Sequence, residues 1–418
     1  MSTWATLPDR QRPRFPYREG LTLTIRPHVP PPPFGPTGYT QGSEREIASF
    51  EEVAKFTHSE WCLHNPLVET PPHPDAANTQ TLEIVQCVAC KNGRGVQVVR
   101  CHLGDDKDRS YTAKIYDPLY YPIADREFGT PIDVTYRADE HYSREAAAFE
   151  DLMAVGVDGK FTPKYHGSWT FQMPFLGTSE LRSVRLVLLE WLDGEDLWSI
   201  MERDGENCGI HTTPPEERLE IFAKAAEASA HLEFHGVNHR SLLPRDVMVL
   251  NQDADEHQTR VLLINLHFSV CMNRPNYRDR EYHLEYPLPI SPRCTWWGHC
   301  PVAFVCWLPD PHRCDEAVFN GWLEQRWPAT RSSEYCEPRY LRPRGRAAKL
   351  IAYASPVEDT RTVFAHVYRR YYPPSSSDDE SSPSEVTDSG ESVWPQSDSG
   401  STGSGSTGSG SETDGTIS

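Results

Sequence analysis

The chain has 418 residues and a formal net charge of −19 at pH 7. That length suits two or three average domains or one large fold, and the acidic balance lacks the basic footprint that nonspecific nucleic-acid binding requires. No apolar run approaches the roughly 20 residues that cross a bilayer, so neither nucleic acid nor membrane is expected as a partner.

Nine of the excess negative charges lie in residues 374–418, which contain no Lys or Arg. The first residues form no secretory apolar region, so a cytoplasmic or nuclear location is expected. The 11 cysteines are an odd number and are expected to be mostly reduced core residues.

Residues 1–45 are rich in Pro and Gly around the run Pro30-Pro31-Pro32-Pro33. That composition predicts a poorly ordered, extended arm more than a core segment. Within an extension over 46–79, Ile47, Phe50, Val53 and Ala54 share one face of a helix predicted over 46–56. Strands are predicted over 81–88 and 96–103, flanking a turn that carries Asn92, Gly93 and Gly95. A third strand ends at residues 111–116. A helix follows at about 140–155, then strands near 164–171 and 185–191.

The clearest helix runs over 216–234, where Leu219, Phe222, Ala223, Ala226 and Ala230 form one stripe. Thr213 offers an N-cap, Pro214 and Pro215 suit the first turn, and Gly236 closes the far end. Residues 271–370 read as mixed helical, with large aromatics such as Trp296, Trp307, Trp322 and Trp327 placed for core packing. The tail over 373–418 is too polar to bury a core and is expected to be disordered.

Two segments carry the chemistry: His239-Arg240-Ser241 running on to Asp246, and Asn265-Leu266-His267. Their spacing resembles the catalytic loop and metal-binding turn of the kinase-like superfamily. The nearest resemblance is to divergent filamentous-fungal proteins whose loop reads His-x-Asp-Leu-x-Pro-Arg-Asn-Val. It covers roughly residues 80–340 and rests on ordered spacing.

The resemblance implies an α+β, bilobal protein kinase-like fold with disordered termini. A small β-rich N-lobe would occupy 80–190 and a mostly helical C-lobe 191–372. It further implies ATP with magnesium as the cofactor of the cleft. Gly93 and Gly95 would then lie over the phosphates, and Lys114 would pair them. Glu145 would hold that lysine, with Glu150 as a competitor, and Glu190 would begin the hinge that binds adenine.

All three working positions differ from the pattern. In the family, an Asp accepts the substrate proton, an Asn holds magnesium and a second Asp binds the metal. Here Ser241 stands at the base position, and Asp246 and Asn265 stand at the metal positions with carboxylate and amide exchanged. A serine hydroxyl is not a general base near neutral pH, a loss worth roughly 10²–10⁴-fold in rate. The expectation is a pseudokinase that acts through an unidentified protein partner and retains a site for nucleotide.

Two alternatives stay open: an atypical kinase acting on protein or small molecules, and a zinc-containing module. For zinc, Cys87, Cys90, Cys101 and His102 have knuckle-like spacing, and a looser set comprises Cys294, His299, Cys300, Cys306, His312 and Cys314. The acidic tail also has a basic stretch to dock on, at Arg339, Arg342, Arg344, Arg346 and Lys349.

Overall fold

The computed structural model describes residues 7–40, 46–125, 129–203, 212–250, 259–279, 286–298, 301–330 and 333–337. The acidic tail and the basic stretch 339–349 lie outside them, as do His299 and Cys300. The chain is a mixed α/β protein.

Strand β1 (Thr22–Pro27) alternates along its length, with Leu23 and Ile25 turned inward. Four strands follow it in the same sheet: β2 (Gln80–Ala89), β3 (Gln97–Leu103), β4 (Asp106–Tyr116) and β5 (Tyr165–Pro174). With β6 (Leu181–Glu190) they close an antiparallel barrel in the order β1-β2-β3-β4-β6-β5. β1 supplies the closure, pairing with β2 on one edge and β5 on the other. Leu82, Ile84, Val99, Ala113, Ile115, Leu186 and Leu188 fill the interior at strand period two.

The arm expected to be poorly ordered therefore contributes a strand. Its Pro-rich run begins only after the alternating stretch 22–27, and two open sheet edges create a demand for one more strand. Between β1 and β2, helices α1 (Phe50–Val53) and α2 (His58–His64) are each begun by a capping box, Ser49 with Glu52 and Thr57 with Glu60. Two such starts eight residues apart reduce the helix expected over 46–56 to one turn. Ile47 and Phe50 are consequently 55% and 52% exposed.

Helix α3 (Val134–Ala154) begins six residues before its expected start, where the Asp133 carboxylate accepts from Tyr136 N–H. After the barrel come β7 (Gly194–Asp196), α4 (Leu197–Arg203), α5 (Pro215–Phe234) and β8 (Val237–Asn238). Then follow β9 (Val247–Leu250), β10 (Arg260–Leu263), β11 (Val270–Cys271), α6 (Pro292–Trp296) and α7 (Glu316–Arg326). Small antiparallel sheets β10-β9-β7 and β11-β8 present the two chemistry-bearing segments. Pro214 rather than Thr213 stands at the N-cap position of α5, with no side-chain capping bond. It buries Phe222, Ala223 and Ala226 in a core that includes Trp307, Phe319 and Trp327. No described helix is long and apolar enough to cross a membrane.

A buried polar cluster locks the barrel to the segment that follows β4. Arg182 on β6 donates to both Asp117 oxygens at 3.2 and 2.8 Å, and the Tyr17 hydroxyl donates to Asp117 at 2.6 Å. Removing one member of such a pair leaves an uncompensated charge. Asp117→Ala is expected to cost about 3–5 kcal/mol, measured by urea unfolding monitored through tryptophan fluorescence.

Candidate functional site

Lys114 comes from the face of β4 opposite the barrel-filling Ala113 and Ile115, and Glu145 from the middle of α3, where packing buries both, at 4% and 0% exposure. The Lys114 ammonium donates to Glu145 Oε1 at 2.5 Å and to Asn265 Oδ1 at 3.0 Å. Glu145 accepts two further bonds, from Leu266 N–H at 3.0 Å and from the Tyr116 hydroxyl. Burial and this carboxylate together push the Tyr116 phenol well above its ordinary value. Glu150, the competing candidate, pairs with Arg274 at 3.0 Å instead.

Asn265 sits in left-handed backbone, φ 64° and ψ 54°, a conformation that Asn tolerates better than most residues. The turn aims its amide two ways. Oδ1 accepts from Lys114, while Nδ2 donates to Asp246 Oδ1 at 2.9 Å and approaches the Arg245 carbonyl at 3.4 Å. The other oxygen of Asp246 accepts from Leu243 N–H at 3.1 Å. Burial raises the Asp246 carboxyl pKa, opposed by His239, by the Asn265 amide and by Arg245.

The structure thus brings Lys114, Glu145, Asn265 and Asp246 into one connected chain of hydrogen bonds. In it the Asn265 amide already bridges the ammonium and the carboxylate. Ser241 lies on the adjoining loop, half-buried, with its N–H on the His239 carbonyl at 2.8 Å. Arg240 before it is also left-handed, φ 65°.

The groups expected to meet nucleotide are likewise engaged. Gly93 and Gly95 have φ of 74° and 102°, as their turn requires. Both N–H groups point inward, however, to the Tyr120 carbonyl at 3.1 and 3.3 Å. The buried Gln97 amide ties the same turn from below, donating to the Gly95 carbonyl at 2.7 Å. The Tyr121 ring packs under Gly95, 3.8 Å from where a Cβ would stand.

At Glu190, the main-chain N–H donates to the Lys164 carbonyl at 2.8 Å. The Glu190 carbonyl accepts from the Thr112 hydroxyl at 3.3 Å. The groove beside Glu190 has a volume of about 530 Å³ and is lined by Asp158, Gly159, Lys160, Lys164 and Arg260. None of Lys114, Glu145, Asp246 and Asn265 lines it, so this groove is not the cleft of the site.

Tyr116, Tyr120, Tyr121, Thr112 and His141 went unnoticed in the sequence. Only His141 left a signal there, one helical turn before Glu145 on the same face. Its ring lies 4.9 Å from that of His267, and the Tyr121 hydroxyl is 3.4 Å from its Nδ1. His141 Nε2 and His267 Nδ1 are closed off from solvent and have no hydrogen-bond partner among the described residues.

Burial pushes both imidazole pKa values well below 6.5. For His141, Arg137, Arg144 and Lys114 add to the effect, and for His267, His141, Lys114, His239 and Arg245. Among the described residues the sulfur clusters form no metal site. Cys87, Cys90 and Cys101 donate to the carbonyls of Tyr17, Val98 and Tyr111. No group of three or more His, Cys, Asp or Glu residues suited to a metal occurs among the described residues.

No family model and no curated protein matches the chain. Among solved structures, it is similar in part to the kinase domain of Mycobacterium tuberculosis PknI, with 17% identity and a TM-score of 0.33 over 61% of this chain and 91% of that one. A double-mutant form of the same domain gives 16% identity and a TM-score of 0.28 over 44% of this chain. That match spans only 60% of the double mutant's length. A second double mutant gives 15% and 0.34 over 61% and 91%. Scores of this size do not establish a shared fold.

Both histidines are neutral in the fold but take up a proton when unfolded below about pH 6.5. Their contribution to stability is therefore complete above that pH and is lost as pH falls, by up to about 1.4 kcal/mol per pH unit for each. His28 and His58, with pKa values of about 3 and 4, add to the same slope. His141→Phe combined with His267→Phe is expected to flatten the stability profile between pH 6.5 and 5, as measured by urea unfolding at each pH.

Proposed function

We propose that this chain is a kinase-shaped protein without phosphotransfer activity that works through contacts with another protein. The barrel with α3 would form one lobe and the elements from β7 onward the other. One observation carries the reading: each group expected to serve nucleotide, metal or proton transfer is either bonded to another group of the chain or chemically unsuited to the task. Asn265 and Asp246 bond to each other where magnesium would need both. Gly93 and Gly95 spend their N–H groups on Tyr120, Glu190 spends its carbonyl on Thr112, and Ser241 supplies no base. The residues do not fit ATP with magnesium.

One feature favours the atypical-kinase alternative. The Lys114–Glu145 pair is intact and buried, as an active site would need. The same pair also satisfies a buried ammonium without any ligand, so it does not outweigh the rest.

A ligand at ten times its Kd stabilises a fold by about 1.4 kcal/mol, or roughly 2 °C in Tm at this size. With 1 mM ATP and excess magnesium, the expected shift in Tm is below about 0.5 °C, and neither the wild type nor Ser241→Asp is expected to transfer phosphate. A shift of 2 °C or more that Asp246→Ala removes would overturn the reading.

A further inference from the structure

The Pro-rich segment 28–40 crosses the outer face of α3 and continues along residues 270–278. Proline has no N–H, so a Pro-rich stretch offers its neighbours carbonyls and little else. Here side-chain donors meet those carbonyls one after another. Asn276 Nδ2 donates to Pro33 O at 2.6 Å, and Arg144 Nε and Nη2 donate to Phe34 O at 2.7 Å and Thr37 O at 3.0 Å. Arg278 Nη2 donates to Pro36 O at 3.1 Å and Tyr39 O at 3.0 Å.

The segment is fitted closely at two glycines. A Cβ on Gly35 would stand 2.2 Å from Glu140 Oε1 and 2.4 Å from Arg144 Nη2, and one on Gly38 would stand 2.6 Å from a Val270 methyl. Phe34 packs edge-on to Tyr136 of α3, with ring centroids 5.2 Å apart. The buried Tyr39 accepts Cys271 N–H at its hydroxyl, 2.9 Å, and lies under the Arg144 guanidinium.

These contacts fall on two elements that also meet at the candidate site and through Arg274, which pairs with Glu150 and Asp151 of α3 at 3.0 and 2.8 Å. Arg144 directly precedes Glu145 on α3, and residues 270–278 directly follow the turn that carries Asn265 and Leu266. The bond from Leu266 N–H to Glu145 joins the two from the inside, while segment 28–40 joins them from the outside. We propose that residues 28–40 are a built-in brace that holds α3 against the 265–272 segment and so sets whether Glu145 reaches Lys114. The arm is then the handle by which the state of the cleft is changed, whether or not nucleotide binds.

The test is amide hydrogen exchange on the full chain, comparing wild type with Arg278→Ala and Gly35→Ala. Arg278 is exposed, and no bond from it to α3 is among those described, so its loss acts on α3 through the brace. Both variants are expected to raise exchange at least tenfold in residues 137–146 and 262–272, with β2 and β3 within twofold of wild type. Arg278→Lys is expected to restore protection in part, since one ammonium reaches fewer carbonyls than a guanidinium. Exchange in 137–146 that stays within twofold of wild type in Arg278→Ala would overturn the proposal. So would a rise that β2 and β3 share, which would show general loosening. Neither outcome depends on ATP, so failure here is distinguishable from failure of the functional reading.

Discussion

An ammonium group taken out of water must be paired, and the buried Lys114 sets the conditions that its surroundings satisfy. Its partners, Glu145 and Asn265, come from α3 and from the turn after β10. Pairing them fixes the position of α3 against the barrel and brings the second chemistry-bearing segment up to the first. Isolated charges at this depth cost several kcal/mol each. The pair is therefore less a source of stability than a constraint, since neither residue is tolerable without the other.

The rest of the site follows from meeting that constraint within the chain. Asn265 passes the connection on to Asp246, which is closed by Leu243 N–H. Around this line, Tyr121, His141 and His267 occupy space with uncharged polar rings, and the Tyr120 carbonyl draws in the glycine turn. A site that waits for a ligand leaves donors and acceptors unmet. Here Asn265, Asp246, Gly93, Gly95 and Glu190 have found partners, while one imidazole nitrogen each of His141, His239 and His267 has none among the described residues.

The positions of Lys114, Glu145, Asp246 and Asn265 were legible because short spacings within a strand, a helix and two loops carry them. Their mutual bonds were legible only as an exchange of carboxylate and amide. The engagement of Gly93, Gly95 and Glu190 was not, because Tyr120 and Lys164 act through main-chain carbonyls, which have no sequence signature. The arm was misjudged for a related reason. Composition reports what Pro30 to Pro33 cannot do, form a ladder, and is silent on the Arg144, Asn276 and Arg278 donors that fasten the carbonyls of residues 33–39 to the fold. The helix over 46–56 failed on local competition, since the Ser49 and Thr57 capping boxes restart the helix and, of the expected apolar face, Val53 is buried while Ile47 and Phe50 are exposed.

The most direct measurement of the central claim is a double-mutant cycle on stability between Asp246→Ala and Asn265→Ala, carried out by urea unfolding with chelator present and no nucleotide. If the amide and carboxylate complete each other, each single variant loses stability and the pair shows a favourable coupling of about 1 kcal/mol or more. A protein that becomes more stable on losing the Asp246 carboxylate, with no coupling to Asn265, would contradict the account, because that is how an unmet ligand awaiting a metal behaves.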